Sequence, residues 1–85
     1  MQIFEKLIGI LFDLSGLDNI TPKHELQRDL GLDSLRLVTL LVMLEDEFEI
    51  ILEEADMNPF DLITVSDVVH LVTKYISGGM YEKNS

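Results

Sequence analysis

Apolar side chains recur at Ile3, Phe4, Leu7, Ile8, Leu11 and Leu14. That spacing keeps them on one face of a 3.6-residue period and predicts an amphipathic helix over residues 2–14. Ser15-Gly16 ends it, since glycine is the usual residue just past a helix. From Leu17 to Asp33 the period is lost and the chain reads as a long connection. Thr21-Pro22 has the form of an N-cap followed by proline at the first helical position, so a turn of helix is expected over Pro22–Gln27. Loops of this length in small domains are either functional or disordered, and the spacing of Leu26 and Leu30 favours an ordered loop pinned to the core.

The strongest period runs from Asp33 to Ile50, where Asp33 or Ser34 can cap the unpaired amides of a first turn. Advancing about 100° per residue from Ser34, Leu37, Leu40, Leu41, Leu44 and Phe48 form one core-facing stripe. Leu35, Val38 and Val42 fall on a different side, flanked by Glu45, Asp46 and Glu49. This second set either packs beneath the long loop or forms a partly exposed docking strip, apolar at its centre and acidic at its rim. The acidic stretch Glu53-Glu54-Ala55-Asp56 follows, and Asn58-Pro59 limits regular structure to a short helix or turn around Phe60–Leu62. Thr64 and Asp67 make a variant capping box opening a last helix, whose inward face is Val65, Val68, Val69, Val72 and Ile76. Gly78-Gly79 is expected to stop it and leave 78–85 as a flexible tail. The fold class is therefore all-α: three main helices plus one short one, a four-helix count. The long loop lies between the first two, in a single domain over 1–77.

Composition narrows the function. A chain of 85 residues, 47% hydrophobic and 26% charged, fits one compact domain and not a disordered segment. Sixteen acidic against six basic residues give a net charge of −10. That charge repels nucleic-acid phosphates and anionic membrane and favours proteins bearing basic patches. The longest apolar run, Leu40 to Leu44, is far short of the ~20 residues that span a bilayer. The N-terminal Met-Gln-Ile-Phe-Glu-Lys lacks the charge and cleavage site of a signal peptide. These features lead us to expect a cytoplasmic monomer, and the bare length a discrete protein more than an excised module.

Conventional catalysis finds little support. Without cysteine there is no disulfide, thiolate metal site or thiol nucleophile. Asp29-Leu-Gly-Leu-Asp33 lacks the alternating oxygen ligands of a calcium loop, and Glu53, Glu54 and Asp56 read as solvated surface, so no metal is expected. No glycine-rich phosphate loop is present. Asp33-Ser34, taken alone, is a capping pair. A serine nucleophile needs a base, and neither histidine, His24 nor His70, is placed beside Ser34 by the sequence. No catalytic residue, and no enzyme, is expected.

The stretch Ile20-Thr-Pro-Lys-His-Glu-Leu-Gln-Arg-Asp-Leu-Gly-Leu-Asp-Ser-Leu35 resembles the centre of an acyl carrier protein, and Asp29-Leu-Gly-Leu-Asp-Ser-Leu35 is similar to that family's phosphopantetheine attachment motif. The similarity continues through Leu44-Glu-Asp-Glu-Phe48 and Ile63-Thr-Val65, covering roughly residues 3 to 76. The resemblance implies that Ser34 receives 4′-phosphopantetheine from coenzyme A through a phosphopantetheinyl transferase. The arm would then hold an acyl or aminoacyl group as a thioester. Asp33, Leu35, Arg36, Val38, Thr39, Val42, Glu45 and Asp46 would form the docking surface. Implied partners are an acyl-loading ligase or transferase and a ketosynthase, condensation or other acyl-processing enzyme. Fatty-acid carriers of the family usually place acids two and five positions after the modified serine, where this chain has Arg36 and Thr39. The region between Phe48 and Ile63 also looks longer than in those carriers, with Met57-Asn58-Pro59-Phe60 reshaping it. Both departures favour a specialised polyketide, nonribosomal peptide or modified fatty-acyl pathway over housekeeping fatty-acid synthesis. The reading from another class is an unmodified acidic helical adaptor for a basic protein.

Overall fold

In a computed structural model, secondary structure is described for residues 3–83 and side-chain surroundings for residues 3–76. Helix α1 spans Ile3–Ser15, α2 spans Ser34–Phe48 and α3 spans Val65–Lys83, with 3₁₀ turns at Glu54–Asp56 and Pro59–Asp61. The second turn is the short helix or turn expected around Phe60–Leu62, and the first, in the acidic stretch, is additional. Asn58 caps the second, its Oδ1 accepting from Phe60 N at 3.0 Å, and the αL residue Glu49 has already closed α2. The fold is therefore three α-helices, not four.

The core is leucine-rich. Leu7 and Leu11 of α1, Leu37, Leu40, Leu41 and Leu44 of α2, and Val65, Val68 and Val72 of α3 have no exposed surface. Each such burial contributes about 1.5–3 kcal/mol of transfer free energy. Helix α1 also buries Ile10, and α3 buries Leu71, neither of which the periodic reading placed inside. Phe48 is only half-buried, with Lys6 Nζ 5.8 Å from its ring centroid.

The long connection over 16–33 is ordered, as the spaced leucines required: Ile20, Leu26, Leu30 and Leu32 are all buried. It does not contain the helical turn expected over Pro22–Gln27. Its main chain is paired with the start of α3 instead. Glu25 bridges Thr64, Leu26 N donates to Ile63 O at 2.8 Å, Val65 N to His24 O at 2.9 Å and Ser66 N to Pro22 O at 3.0 Å. The Pro22 and His24 carbonyls, which a helix would direct along its own axis, accept from α3 amides that have no intrahelical partner. At the other end of α3 the expected stop at Gly78-Gly79 is absent, and the helix continues to Lys83. Glycine inside a helix costs about 1 kcal/mol relative to alanine, which weakens a helix without ending it. The tail expected over 78–85 thus begins as helix, and residues 84–85 lie outside those described.

Candidate functional site

The segment from Glu25 to Leu37 delivers Ser34 to the surface, and nearly every residue in it has a local task. Asp29 Oδ2 accepts from Glu25 N at 2.7 Å, while Asp29 N and Leu30 N both donate to Glu25 O, closing a tight turn. Leu30 and Leu32 drop into the core on either side of Gly31, which sits at φ +72°. That left-handed conformation costs a side-chain-bearing residue about 1–2 kcal/mol. A Cβ at Gly31 would meet nothing within 4 Å, so the backbone angle demands the glycine and the available space does not. Leu32 N then donates to Leu26 O at 3.0 Å, and Asp33 turns extended at φ −83°, ψ 179°.

Asp33 is the N-cap. Its Oδ1 accepts from Arg36 N at 2.8 Å and its carbonyl from Leu37 N at 2.9 Å. Ser34 follows as the first helical residue, exposed, with the positive end of the α2 dipole at its back. Among the described residues no hydrogen bond joins its hydroxyl to a histidine. His24 is occupied locally, its Nδ1 accepting from Thr21 N at 3.0 Å, and His70 lies exposed on α3. No group of three or more histidine, aspartate or glutamate side chains among the described residues is placed to hold a metal, and no described helix is long and apolar enough to cross a membrane. The arrangement offers an accessible hydroxyl where a covalently attached phosphate would find amides and a favourable dipole.

Of the two readings of the second apolar face of α2, exposure decides for the open strip. Leu35 is 74% exposed, Val42 53% and Val38 42%. The polar residues on the helix behave differently from one another. Asp46 is exposed and its side chain makes no hydrogen bond among the described residues, whereas Thr39 Oγ1 donates back to Leu35 O at 3.1 Å. Arg36 Nη1 donates to Leu14 O at 3.1 Å, at the C-terminal end of α1. The last turn of α1 has no basic residue of its own, so α2 supplies the cation that complements its dipole. Glu45 is half-buried, and its Oε2 accepts from Leu52 N at 2.8 Å.

The structure adds residues that periodicity did not single out. Phe60, 67% exposed, belongs to the 3₁₀ turn that packs against α2, and exposed Ile63 follows it. The sequence signal for them was the Asn58-Pro59 turn, which sets Phe60 outward. Nor is the acidic stretch simply solvated. Asp56 Oδ2 accepts from the Tyr75 hydroxyl at 2.6 Å and from Lys74 Nζ at 3.0 Å, and Tyr75 and Lys74 together hold its carboxyl below the usual range. Burial, reinforced by Asp56, pushes the Tyr75 phenol up. Asp67 completes the capping box expected with Thr64, accepting from Ile63 N and Thr64 N at 3.0 Å each, while Asp67 N donates to Thr64 Oγ1 at 3.2 Å.

In a comparison with protein families, the PP-binding family model, described as phosphopantetheine attachment site, matches residues 2–72. The matched range takes in α1, the long connection, α2 and the first part of α3.

Proposed function

The chain belongs to the phosphopantetheine attachment site family, and from that premise we propose that Ser34 is the residue carrying the prosthetic group. As a family member it is a carrier protein rather than a catalyst, and 4′-phosphopantetheine is its covalent cofactor. The group's terminal thiol supplies the thioester chemistry. The observation that carries the proposal is the exposed Ser34 hydroxyl at the α2 N-terminus, held there by the Asp33 cap, the left-handed Gly31 and buried Leu30 and Leu32. In the modification, Ser34 Oγ gains a bond to phosphorus as the bond from coenzyme A phosphorus to its adenosine bisphosphate moiety breaks. The serine proton goes to a base of the transferase. Asp33 stays with the Arg36 amide, and the remaining first-turn amides and the dipole face the new phosphodiester.

Intact mass after incubation with coenzyme A and a promiscuous phosphopantetheinyl transferase tests this. The wild type is expected to gain one phosphopantetheine and Ser34→Ala none. The alanine variant keeps its circular dichroism and loses at most about 1 kcal/mol, because Asp33 still caps α2. An unmodified wild type, beside a control carrier converted in the same tube, would favour the adaptor reading.

Leu35, Val38 and Val42, with Asp33, Thr39, Glu45 and Asp46 around them, are the surface on which the transferase, a loading ligase or transferase, and a ketosynthase or condensation enzyme dock. A specialised pathway is favoured over housekeeping fatty-acid synthesis by Arg36 and Thr39, which remove two acids from the head of this strip. Arg36→Asp with Thr39→Glu, compared at unchanged helical circular dichroism because Arg36 also bonds Leu14 O, is expected to improve acceptance of the pantetheinylated carrier by a fatty-acid ketosynthase and to weaken loading by the native partner. Rates unchanged within about twofold for both enzymes would mean that no charge contact of the usual size exists at these positions.

A further inference from the structure

The segment between α2 and the second 3₁₀ turn is held at two successive amides by side chains from two different helices. Leu52 N donates to Glu45 Oε2 of α2 at 2.8 Å. Glu53 N donates to the Tyr75 hydroxyl of α3 at 2.7 Å. The hydroxyl in turn donates to Asp56 Oδ2 at 2.6 Å, and Lys74 Nζ donates to both oxygens of that carboxylate at 3.2 and 3.0 Å. A hydroxyl that accepts on one side and donates to a charged acceptor on the other is polarised in the direction that strengthens both bonds. The fastening is placed where the chain most needs one. Ile51 is 85% exposed and contributes almost no burial, while Leu52 next to it is buried.

We infer that Tyr75 of α3 is a positioning residue for Glu45 of α2: by fixing Glu53 N it fixes the neighbouring Leu52 N–H, which in turn orients the Glu45 carboxylate at the lower end of the docking strip. With Oε2 turned to Leu52 N, the second oxygen of Glu45, which makes no hydrogen bond among the described residues, is left to a basic partner. A carboxylate already held in one rotamer loses less side-chain freedom on docking than one that is free. Tyr75 acts only through the segment that carries Leu52 and Glu53. The inference rests on Ser34 being the attachment site and on α2 being the docking helix.

The test uses the full chain and the same transferase with coenzyme A, comparing wild type, Tyr75→Phe, Glu45→Gln and the double variant. Gln keeps an oxygen for Leu52 N and removes the charge, so Glu45→Gln is expected to raise the KM for the carrier about three- to fivefold with kcat unchanged. Tyr75→Phe is expected to raise KM about two- to threefold, again with kcat unchanged, and to speed hydrogen exchange at the Leu52 and Glu53 amides. The double variant is expected to show no more loss than Glu45→Gln alone, because an uncharged residue at 45 has no docking charge to orient. Tyr75→Phe with an unchanged KM overturns the inference. So does an equal Tyr75→Phe effect in the Glu45→Gln background, which would mark a purely structural role. An unchanged KM for Glu45→Gln also overturns it, leaving Ser34 as the attachment site, whereas failure to modify the wild type removes the carrier reading itself.

Discussion

The two connections that flank α2 are fastened in different proportions by burial and by side-chain bonds. The one before it, 16–33, buries Ile20, Leu26, Leu30 and Leu32 and pairs its main chain with residues 63–66, using the Asp29 and His24 side chains only for turns within itself. The one after it, 49–64, buries Leu52 and Leu62 but leaves Ile51, Phe60 and Ile63 exposed, and depends on Glu45, Asn58, Asp56, Tyr75 and Asp67 for its shape. Leucine burial and main-chain bonding are indifferent to pH and moderate salt, whereas carboxylates are sensitive to both. The difference places the better-buried support under Ser34 and the more condition-sensitive one at the far end of α2.

Side-chain truncation exposes the contrast most strongly. Leu26→Ala is expected to cost about 2–5 kcal/mol, as fully buried leucines do, and Ile51→Ala less than about 0.5 kcal/mol. Urea denaturation of both variants measures this, and equal losses would erase the contrast.

Backbone conformation gives a second, opposed pair. Gly31 and Glu49 each take positive φ, at 72° and 55°, one on each side of α2. Gly31→Ala is expected to destabilise by about 1–2 kcal/mol and to slow modification of Ser34, while Glu49→Gly is expected to stabilise by up to about 1 kcal/mol. Thermal melts and modification rates for the two variants decide it.

Acidification sharpens the comparison with the smallest perturbation. Asp56 is held low chiefly by the Tyr75 hydroxyl and Lys74, and Asp67 chiefly by the Thr64 N–H. For a carboxyl whose folded pKa is depressed, the stabilisation is complete above its unfolded value, about 3.9 for aspartate, and is lost as pH falls through the folded one. Amides 53–57 and 63–64 are therefore expected to exchange faster below about pH 4, once corrected for intrinsic rates, before those at 26, 30 and 32 do. Uniform loosening of both connections would contradict the assignment of fastenings.

Much of this was legible from residue order, for physical reasons that can be named. Buried stripes recur at the helical period, so α1, α2 and α3 and most of the core could be read directly, as could the Asp33 cap and the Thr64–Asp67 box, whose partners lie three residues apart. Ser34 stood out only through the motif around it, since aspartate followed by serine is otherwise an ordinary helix start. What could not be read depends on partners distant in sequence. The Pro22 and His24 carbonyls avoid a helix because α3 amides reach them, Arg36 finds Leu14, and Tyr75 finds Glu53 and Asp56. No periodicity records such meetings. The glycines at 78–79 misled because a helix penalty was read as a stop.

The contact between Arg36 and the end of α1 bears on any redesign of this carrier. Charge at position 36 cannot be tuned for a new enzyme alone, because the shorter side chain of an aspartate would leave the Leu14 carbonyl without the guanidinium that now satisfies it. A graft of acidic residues onto the head of α2 would thus travel with a fraying of α1, and a poor catalytic result could be mistaken for poor recognition. Moving the cation to α1 itself, by Asp13→Lys in its last turns, would return a complementary charge to that helix end and free position 36 to vary independently.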